Sequence, residues 1–379
     1  MAMERLFQLM KEKSASDMFF AVNSAVHLKI NGNLIPINQQ KLERENIQSL
    51  LTEVCTTEQM IELERDNELN MAVSVPNLGR FRLSAFRQRG SISAVFRMVP
   101  AAIPALNDLG LPSVLSELIM EKRGLMLLVG ATGSGKSTTI ASMLDHRNEL
   151  RSGHILTLED PIEYLFKNKK SIVNQREIGS DAVSFYTALR NSMRQAPDCI
   201  LIGEIRDKET MAASLAYAQS GHLVLATLHA NNSYNALNRI ISFYPIENRS
   251  ALLQDLSSTV KAIVSQRLVR SINGGTREAA VEIMVNTRYV ADLIEKGEIG
   301  QIKEAMEKSM SPGSQSFEAA LFQLVKDGKI SQEEALANAD SATNLLWLLN
   351  NSSDSKRSDP ELSSKTSEES SFTEFTLNT

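Results

Sequence analysis

GATGSGKS, residues 130–137, is the stretch on which the reading of the fold turns. It fits G-x-x-x-x-G-K-[S/T], a pattern that arises by chance in roughly one chain in a hundred of this length. An apolar run, LMLLV (125–129), precedes it, and a stretch of helical character (138–150) follows. Strand, glycine-rich turn and helix in that order place backbone N–H groups and a helix N-terminus around one anion. The expected ligand is ATP, held by Gly130, Ala131, Thr132, Gly133, Ser134, Gly135, Lys136, Ser137 and Thr138. Lys136 is expected to reach the β- and γ-phosphates, and the Ser137 hydroxyl to help hold Mg²⁺.

Working outward, short apolar runs alternate with helical stretches: LMLLVG, HILTLE (154–159), CILIG (199–203) and HLVLATLH (222–229). Near-continuous apolar strands separated by helices predict an α/β fold with a parallel sheet covered on both faces. Ligands of such sheets bind outside the carboxyl ends of the strands. LEDPIE (158–163) sets Glu159, Asp160 and Glu163 at that edge, where hydrolysis needs a carboxylate to orient or deprotonate water. CILIGEIRD (199–207) ends a buried strand in Gly203-Glu204, placing Glu204 to contact metal or water near the γ-phosphate. The usual aspartate before this glutamate is replaced by Gly203, and Arg206 or Arg194 is the candidate ion-pair partner of Glu204. His222 and His229 flank one strand on opposite faces, roughly 20 Å apart, so a shared metal is not expected. His229 falls at the carboxyl end, in reach of a γ-phosphate, whereas strand geometry puts His222 at the far edge.

Before this region lies a different pattern. A helical periodicity covers 4–13, and HLKINGNLIPI (27–37) alternates around Asn31-Gly32, a hairpin signal. Helices are expected within 43–64 and strands at 81–86 and 92–98, making a small α+β domain over 1–99. Arg80, Arg82, Arg87, Arg89 and Arg97 lie here, with Arg80 and Arg82 opposite the apolar face of Phe81, Leu83 and Ala85. Ring-forming ATPases often complete a site with such an arginine. Pro100, Pro104 and Pro112 mark 100–112 as a linker and candidate hinge. The ATPase domain is expected over 113–285 and a helical subdomain over 286–350. The Ser/Thr/Glu-rich tail, 351–379, has too few apolar residues to offset its ordering entropy and reads as disordered.

The chain has 379 residues and a formal net charge of -5, a poor composition for a general nucleic-acid binder. Two cysteines, Cys55 and Cys199, exclude a four-cysteine zinc site within one chain. The charged N-terminus is unlike a secretory signal, and no apolar run approaches the ~20 residues of a bilayer span.

The four motifs in this order resemble the secretion ATPase superfamily, which powers type IV pili and type II secretion. The resemblance covers about residues 1–345. Within it the chain is similar to the pilus-retraction branch, the PilT/PilU family, since it has no extra N-terminal domain and no four-cysteine insertion. RQAPDCILIGEIRD, LATLHANNSYNALNRII and VADLIEKGEI resemble the PilU type more than the PilT type. TRYVADLIEKGE (287–298) stands where PilT-type members carry an AIRNLIRE-like motif, which implies an accessory role beside a PilT-like ATPase. The resemblance implies a PAS-like N-terminal domain, a RecA-like second domain and homo-hexamers with ATP between the two domains. It also implies a pilus platform protein as partner, at the cytoplasmic face of the inner membrane, with no nucleic acid and no membrane insertion. Glu163 matches the catalytic glutamate, Glu204 the Walker B glutamate, and His222 and His229 the histidine box. Arg82 and Arg97 match N-domain arginines that approach the nucleotide. Two rival functions remain from the residues: an ATP-binding adaptor with negligible turnover, and a DNA-translocating motor.

Overall fold

The computed structural model describes residues 2–30, 32–100, 102–308 and 312–354. The Asn31 corner of the expected hairpin, Ala101 of the linker and residues 355–379 of the expected tail lie outside the described residues.

The chain opens with α1 (Ala2–Glu12), whose Met3, Phe7 and Met10 recur on one face and are buried. Strands β1 (Asp17–Phe20), β2 (His27–Ile30) and β3 (Asn33–Pro36) follow, then α2 (Arg44–Thr52) and α3 (Thr57–Asp66). Three longer strands complete the unit: β4 (Glu68–Val75), β5 (Gly79–Gln88) and β6 (Ser91–Met98). They form one antiparallel sheet in the order β3-β2-β1-β6-β5-β4. The β2–β3 ladder pairs Ile30 with Asn33, as the alternation around Asn31-Gly32 predicts. Phe7 stacks on Phe81 at 4.2 Å between ring centroids and meets Phe96 edge-on at 5.3 Å, so α1 covers one face of the sheet. Thr56 and Gln59 start α3 with a capping box, each side chain bonding the other's backbone N–H.

Residues 102–112 are irregular apart from one 3₁₀ turn, Leu106–Leu109, whose Leu106 is buried with Leu115 and Ile119. The second sheet is built from α4 (Val114–Leu118), β7 (Gly124–Val129), α5 (Lys136–Leu150), β8 (Gly153–Glu159), β9 (Ser171–Glu177), α6 (Phe185–Ser192) and β10 (Cys199–Ile202). It continues through α7 (Lys208–Gln219), β11 (Leu223–Leu228), α8 (Ser233–Ser242), α9 (Arg249–Thr259), β12 (Val260–Arg270) and β13 (Arg277–Val285). The order is β13-β12-β7-β11-β10-β8-β9, parallel throughout except for β13. Every residue of β7 and β10 is buried, as strands covered on both faces require. Alternate residues divide between two cores. Met126, Leu128 and Leu201 face α4 and α5, while Leu127, Val129 and Ile202 face α6 to α9. This is the α/β fold class expected from the sequence.

Beyond the sheet come α10 (Arg288–Lys296), α11 (Ile302–Glu307), α12 (Phe317–Lys326), α13 (Gln332–Asn338) and α14 (Ala342–Asp354). Val290, Ile294 and Ile302 of α10 and α11 belong to the same core as α7 and α8. Phe317, Leu321, Ala335 and Leu345 of the last three helices form a separate cluster on Val269 and Ala280 of the β12–β13 hairpin. Helix α14 runs on through Asp354, into the stretch read from composition as tail.

Glu282 of β13 is buried, where it accepts the Ser233 N–H at 2.7 Å and the Ser265 hydroxyl at 3.2 Å. Burial pushes its carboxyl from 4.5 up to about 7. The folded chain therefore holds this proton over a pH range where the unfolded chain has lost it. The stability from this group is complete below about 4.5 and is lost as the pH rises through about 7. Glu282→Gln keeps the acceptor oxygen and removes the titration. Urea unfolding is expected to show the variant gaining on the order of 3 kcal/mol over wild type near about pH 8 and nothing near about pH 4.5.

Candidate active site

The parallel ladder brings the motif residues to one edge. Leu228 pairs with Val129, Ala226 with Ile202, and Ile202 with Leu158. One step further along each strand lie Gly130, His229, Gly203-Glu204 and Glu159. Glu159, Gly203-Glu204 and His229 open onto a cleft of about 720 Å³, lined also by Lys136, Ser137, Thr138 and Glu163.

The P-loop turns where no side chain is tolerated. Gly130 has φ +148°, and a Cβ there would sit 2.6 Å from the Gln266 carbonyl oxygen and 2.6 Å from Ser134 Oγ. Lys136 Nζ donates to the carbonyls of Gly130 and Ala131, both at 2.8 Å. Burial lowers the Lys136 pKa, and the carboxylates of Glu204 and Glu163 pull it back up. Thr132, Gly133 and Gly135 line the main cleft, whereas Gly130, Ala131 and Ser134 line a smaller cavity on the other side of the loop. Thr138 Oγ1 lies 2.8 Å from the Tyr164 hydroxyl, and Gln266 accepts the Thr139 hydroxyl at 2.8 Å. Tyr164 and Gln266 were not singled out from sequence. Tyr164 directly follows the acidic loop, but Gln266 comes from a strand with no motif, and only the fold reveals it.

Across the cleft, Glu159 is buried and accepts from the Thr157 hydroxyl at 2.6 Å and Gln175 Nε2 at 3.1 Å. Burial raises its pKa, and those hydrogen bonds partly offset the rise. Glu159 Oε2 also accepts the Glu163 N–H at 3.4 Å, so the first carboxylate of the loop orients the last. The Glu163 residue is exposed at the cleft. Glu204 is held on both sides: Arg206 Nε donates to Oε2 at 2.7 Å, and His229 Nε2 lies 3.2 Å from Oε1. Arg206, not Arg194, is its ion-pair partner.

The glycine before Glu204 has a packing reason. Gly203 N–H donates to the Leu158 carbonyl at 2.8 Å, and a Cβ on Gly203 would come within 3.0 Å of that same oxygen and 3.4 Å of Glu159 Cα. The Thr227 hydroxyl in turn donates to the Gly203 carbonyl. A side chain at this position would push the β8 and β10 strand ends apart by a few tenths of an ångström.

The arginines divide. Phe81, Leu83 and Ala85 are buried in the first sheet, and Arg80 and Arg82 reach the second from its opposite face. Arg80 Nη2 pairs with Glu177 Oε2 at 3.0 Å, and Arg82 Nη2 donates to the Ile162 carbonyl at 2.7 Å, next to Glu163. Arg97 lies beside Arg82 in register, but its guanidinium pairs with Asp17 at 2.7 Å, is 63% exposed, and does not line the cleft. His222 is not brought to the site either. It precedes β11 at the end away from His229, where Nδ1 lies 3.0 Å from Ser220 Oγ and 3.1 Å from the Tyr217 carbonyl. The length of the strand between the two histidines separates them, as the spacing requires.

Gly203→Asp is expected to force the strand ends apart, costing about 1–3 kcal/mol by denaturant unfolding. Gly203→Ala, with a smaller intrusion, is expected to cost less in the same measurement.

With this geometry in place, comparison with known proteins is direct. The Type II/IV secretion system protein family matches residues 2–324. The type IV pilus ATPase PilU of Pseudomonas aeruginosa is 44% identical over 94% of this chain and 93% of its own length. The type IV pilus retraction ATPase PilT of the same organism is 36% identical over 89% of this chain and 98% of its own. A crystal structure of the pilus retraction motor PilT with bound ADP superposes with a TM-score of 0.85 at 37% identity, covering 90% of this chain and 99% of that one. The chain is therefore an ATPase that belongs to the type II/IV secretion system protein family, within its PilT/PilU group and on the PilU-like side.

Proposed function

We propose that this chain is a motor subunit that hydrolyses ATP with Mg²⁺ to drive type IV pilus retraction and twitching motility, accessory to a PilT-like ATPase. The observation that carries the reading is the convergence of Lys136, Glu163, Glu204 and His229 on one cleft, with Arg82 of the other sheet bonded to the backbone of the acidic loop. ATP phosphates would take the place of the Gly130 and Ala131 carbonyls as partners of Lys136. The Ser137 hydroxyl and Glu204 offer hard oxygens of the kind Mg²⁺ takes, one or two from protein with phosphates and water completing the shell. That ion supplies charge neutralisation between the phosphates.

In this reading Glu163 activates the attacking water, because Glu204 is already held by Arg206 and His229. The chain works as a homo-hexamer at the cytoplasmic face of the inner membrane, passing motion to a pilus platform protein. Residues 1–99 act as one domain and 113–285 as the ATPase domain, with 100–112 as hinge, 286–350 as helical subdomain and 351–379 as tail. No helix among the described residues is long and apolar enough to cross a membrane.

Lys136→Ala is expected to lower steady-state ATP turnover by about a hundredfold or more. Glu163→Gln is expected to keep ATP binding while turnover falls by about 10²–10⁴-fold. Full turnover in both variants would remove the site assignment. Retraction in a strain lacking this chain, with and without its PilT-like partner, tests the accessory role: a defect only when force demand is high supports it, and a complete loss with the partner present contradicts it.

A further inference from the structure

We propose that Arg267 and Asp340 form a clamp that positions the loop carrying His229, so that the segment between α13 and α14 sets the rate of hydrolysis without touching nucleotide. The proposal rests on the reading of His229 as part of the hydrolytic site.

His229 leaves β11 and only three residues separate it from α8. The last of these, Asn232, is the N-cap and is 2% exposed. Its Oδ1 accepts the Asn235 N–H at 3.0 Å, while its Nδ2 donates to Asp340 Oδ2 at 2.9 Å. One side chain thus starts the helix and ties it to a segment more than a hundred positions away. The Tyr234 hydroxyl donates to the same carboxylate oxygen at 3.2 Å. The other oxygen of Asp340 pairs with Arg267 Nη2. Arg267 also donates to the Asn231 carbonyl at 3.2 Å and the Asn338 carbonyl at 2.5 Å, with its guanidinium 3.8 Å over the Phe317 ring. Residues 231 and 232, two and three positions past His229, are therefore gripped through a carbonyl and through a side chain by one ion pair. That pair is largely sheltered from solvent, with side chains 22% and 14% exposed, so salt screens it less than a surface pair.

The far side of the clamp is itself fixed. Ser341 N–H donates at 2.7 Å to Glu318, a buried carboxylate that also pairs with Lys303 at 3.2 Å. The near side is fixed to the P-loop, because Gln266, the residue before Arg267, bonds Thr139 of α5 and packs under Gly130. Successive residues of one strand point to opposite faces. So β12 holds the phosphate loop with one residue and the His229 loop with the next. The His229–Glu204 contact of 3.2 Å is at the limit of hydrogen-bond reach, and a shift of about 1 Å in the loop would break it. Releasing the clamp moves His229 and leaves Lys136 and Ser137 in place, so the effect falls on kcat and not on nucleotide affinity.

The test compares full-length Asp340→Ala, Asp340→Asn, Asp340→Glu and His229→Ala with wild type, by ATP turnover against ATP concentration and by binding of a fluorescent ADP. Asp340→Ala is expected to lower kcat about tenfold, the loss typical of outer partners of a functional group, with KM within about twofold and full ADP stoichiometry. Asp340→Glu is expected to recover at least about half of the rate, since it restores the charge on Arg267. Asp340→Asn, a mild change that keeps an acceptor for Asn232, covers the case in which the alanine variant does not fold, and is expected to lose about two- to fivefold. Wild-type kcat in the alanine and asparagine variants overturns the clamp. So does a loss that appears as fewer ADP sites or weaker ADP binding, because the segment would then hold the fold and not the loop. Wild-type kcat in His229→Ala overturns the reading of the site instead, which keeps the two failures apart.

Discussion

The register of the buried parallel ladder β8-β10-β11-β7 is the constraint on which the rest of the molecule depends. The four strands pair without a slip, and Glu159, Gly203-Glu204, His229 and Gly130 all fall at or just past their carboxyl ends. Slippage by one residue would turn every side chain to the other face and move a carboxylate or histidine by a full strand step. Burial on both faces prevents it, since Leu127 and Leu128 of β7 each enter a different core. The helices that cover the sheet thus shape the cleft both by fixing the register and through the side chains of α5 that line it.

That constraint also explains the place where the chain departs from a common P-loop plan. Between β8 and β10 the strand ends approach so closely that Gly203 donates to Leu158 and a side chain there would press on the β8 backbone. The acidic function moves to neighbours on either side. Glu159 is buried and oriented by Thr157 and Gln175, and Glu204 is aligned by Arg206 and His229. A cluster of carboxylates near a lysine whose pKa burial depresses is the electrostatic arrangement that a polyanion with its cation can enter, because each sign of charge already has a counterpart.

Much of this was legible in the amino-acid order. Strong, local patterns carried through: the P-loop between an apolar strand and a helix, β5 and β6, and the 27–37 hairpin. The strands that were missed differ in cause. Four-residue β1 is too short to show a period and β9 is an edge strand with Ile172 exposed, whereas β4 (ELNMAVSV) does alternate, with Leu69, Met71, Val73 and Val75 on one face and Glu68, Asn70 and Ser74 on the other. Strand β12 carries no motif, yet it supplies both Gln266 and Arg267. Their importance comes from what the topology sets beside them, and sequence spacing does not encode contacts across 71 or 127 positions. Arg97 shows the reverse case: a suitable residue type in a suitable strand whose nearest acid, Asp17, lies across the ladder and captures it.

The two histidines show why motif membership and site membership are separate questions. Both flank β11, and a strand of this length keeps their rings apart whatever the surrounding fold does. His229 joins the cleft because the strand's carboxyl end is the ligand-binding edge. His222, at the amino end, sits edge-on to Tyr217, with 6.2 Å between ring centroids, near the ends of α7 and β11. Within one subunit its work is to fasten the turn into β11, and so to hold the register that places His229. A role for His222 at a nucleotide would have to come from a neighbouring copy whose site faces that end of the strand. The single-chain geometry thus turns a question about catalysis into one about assembly.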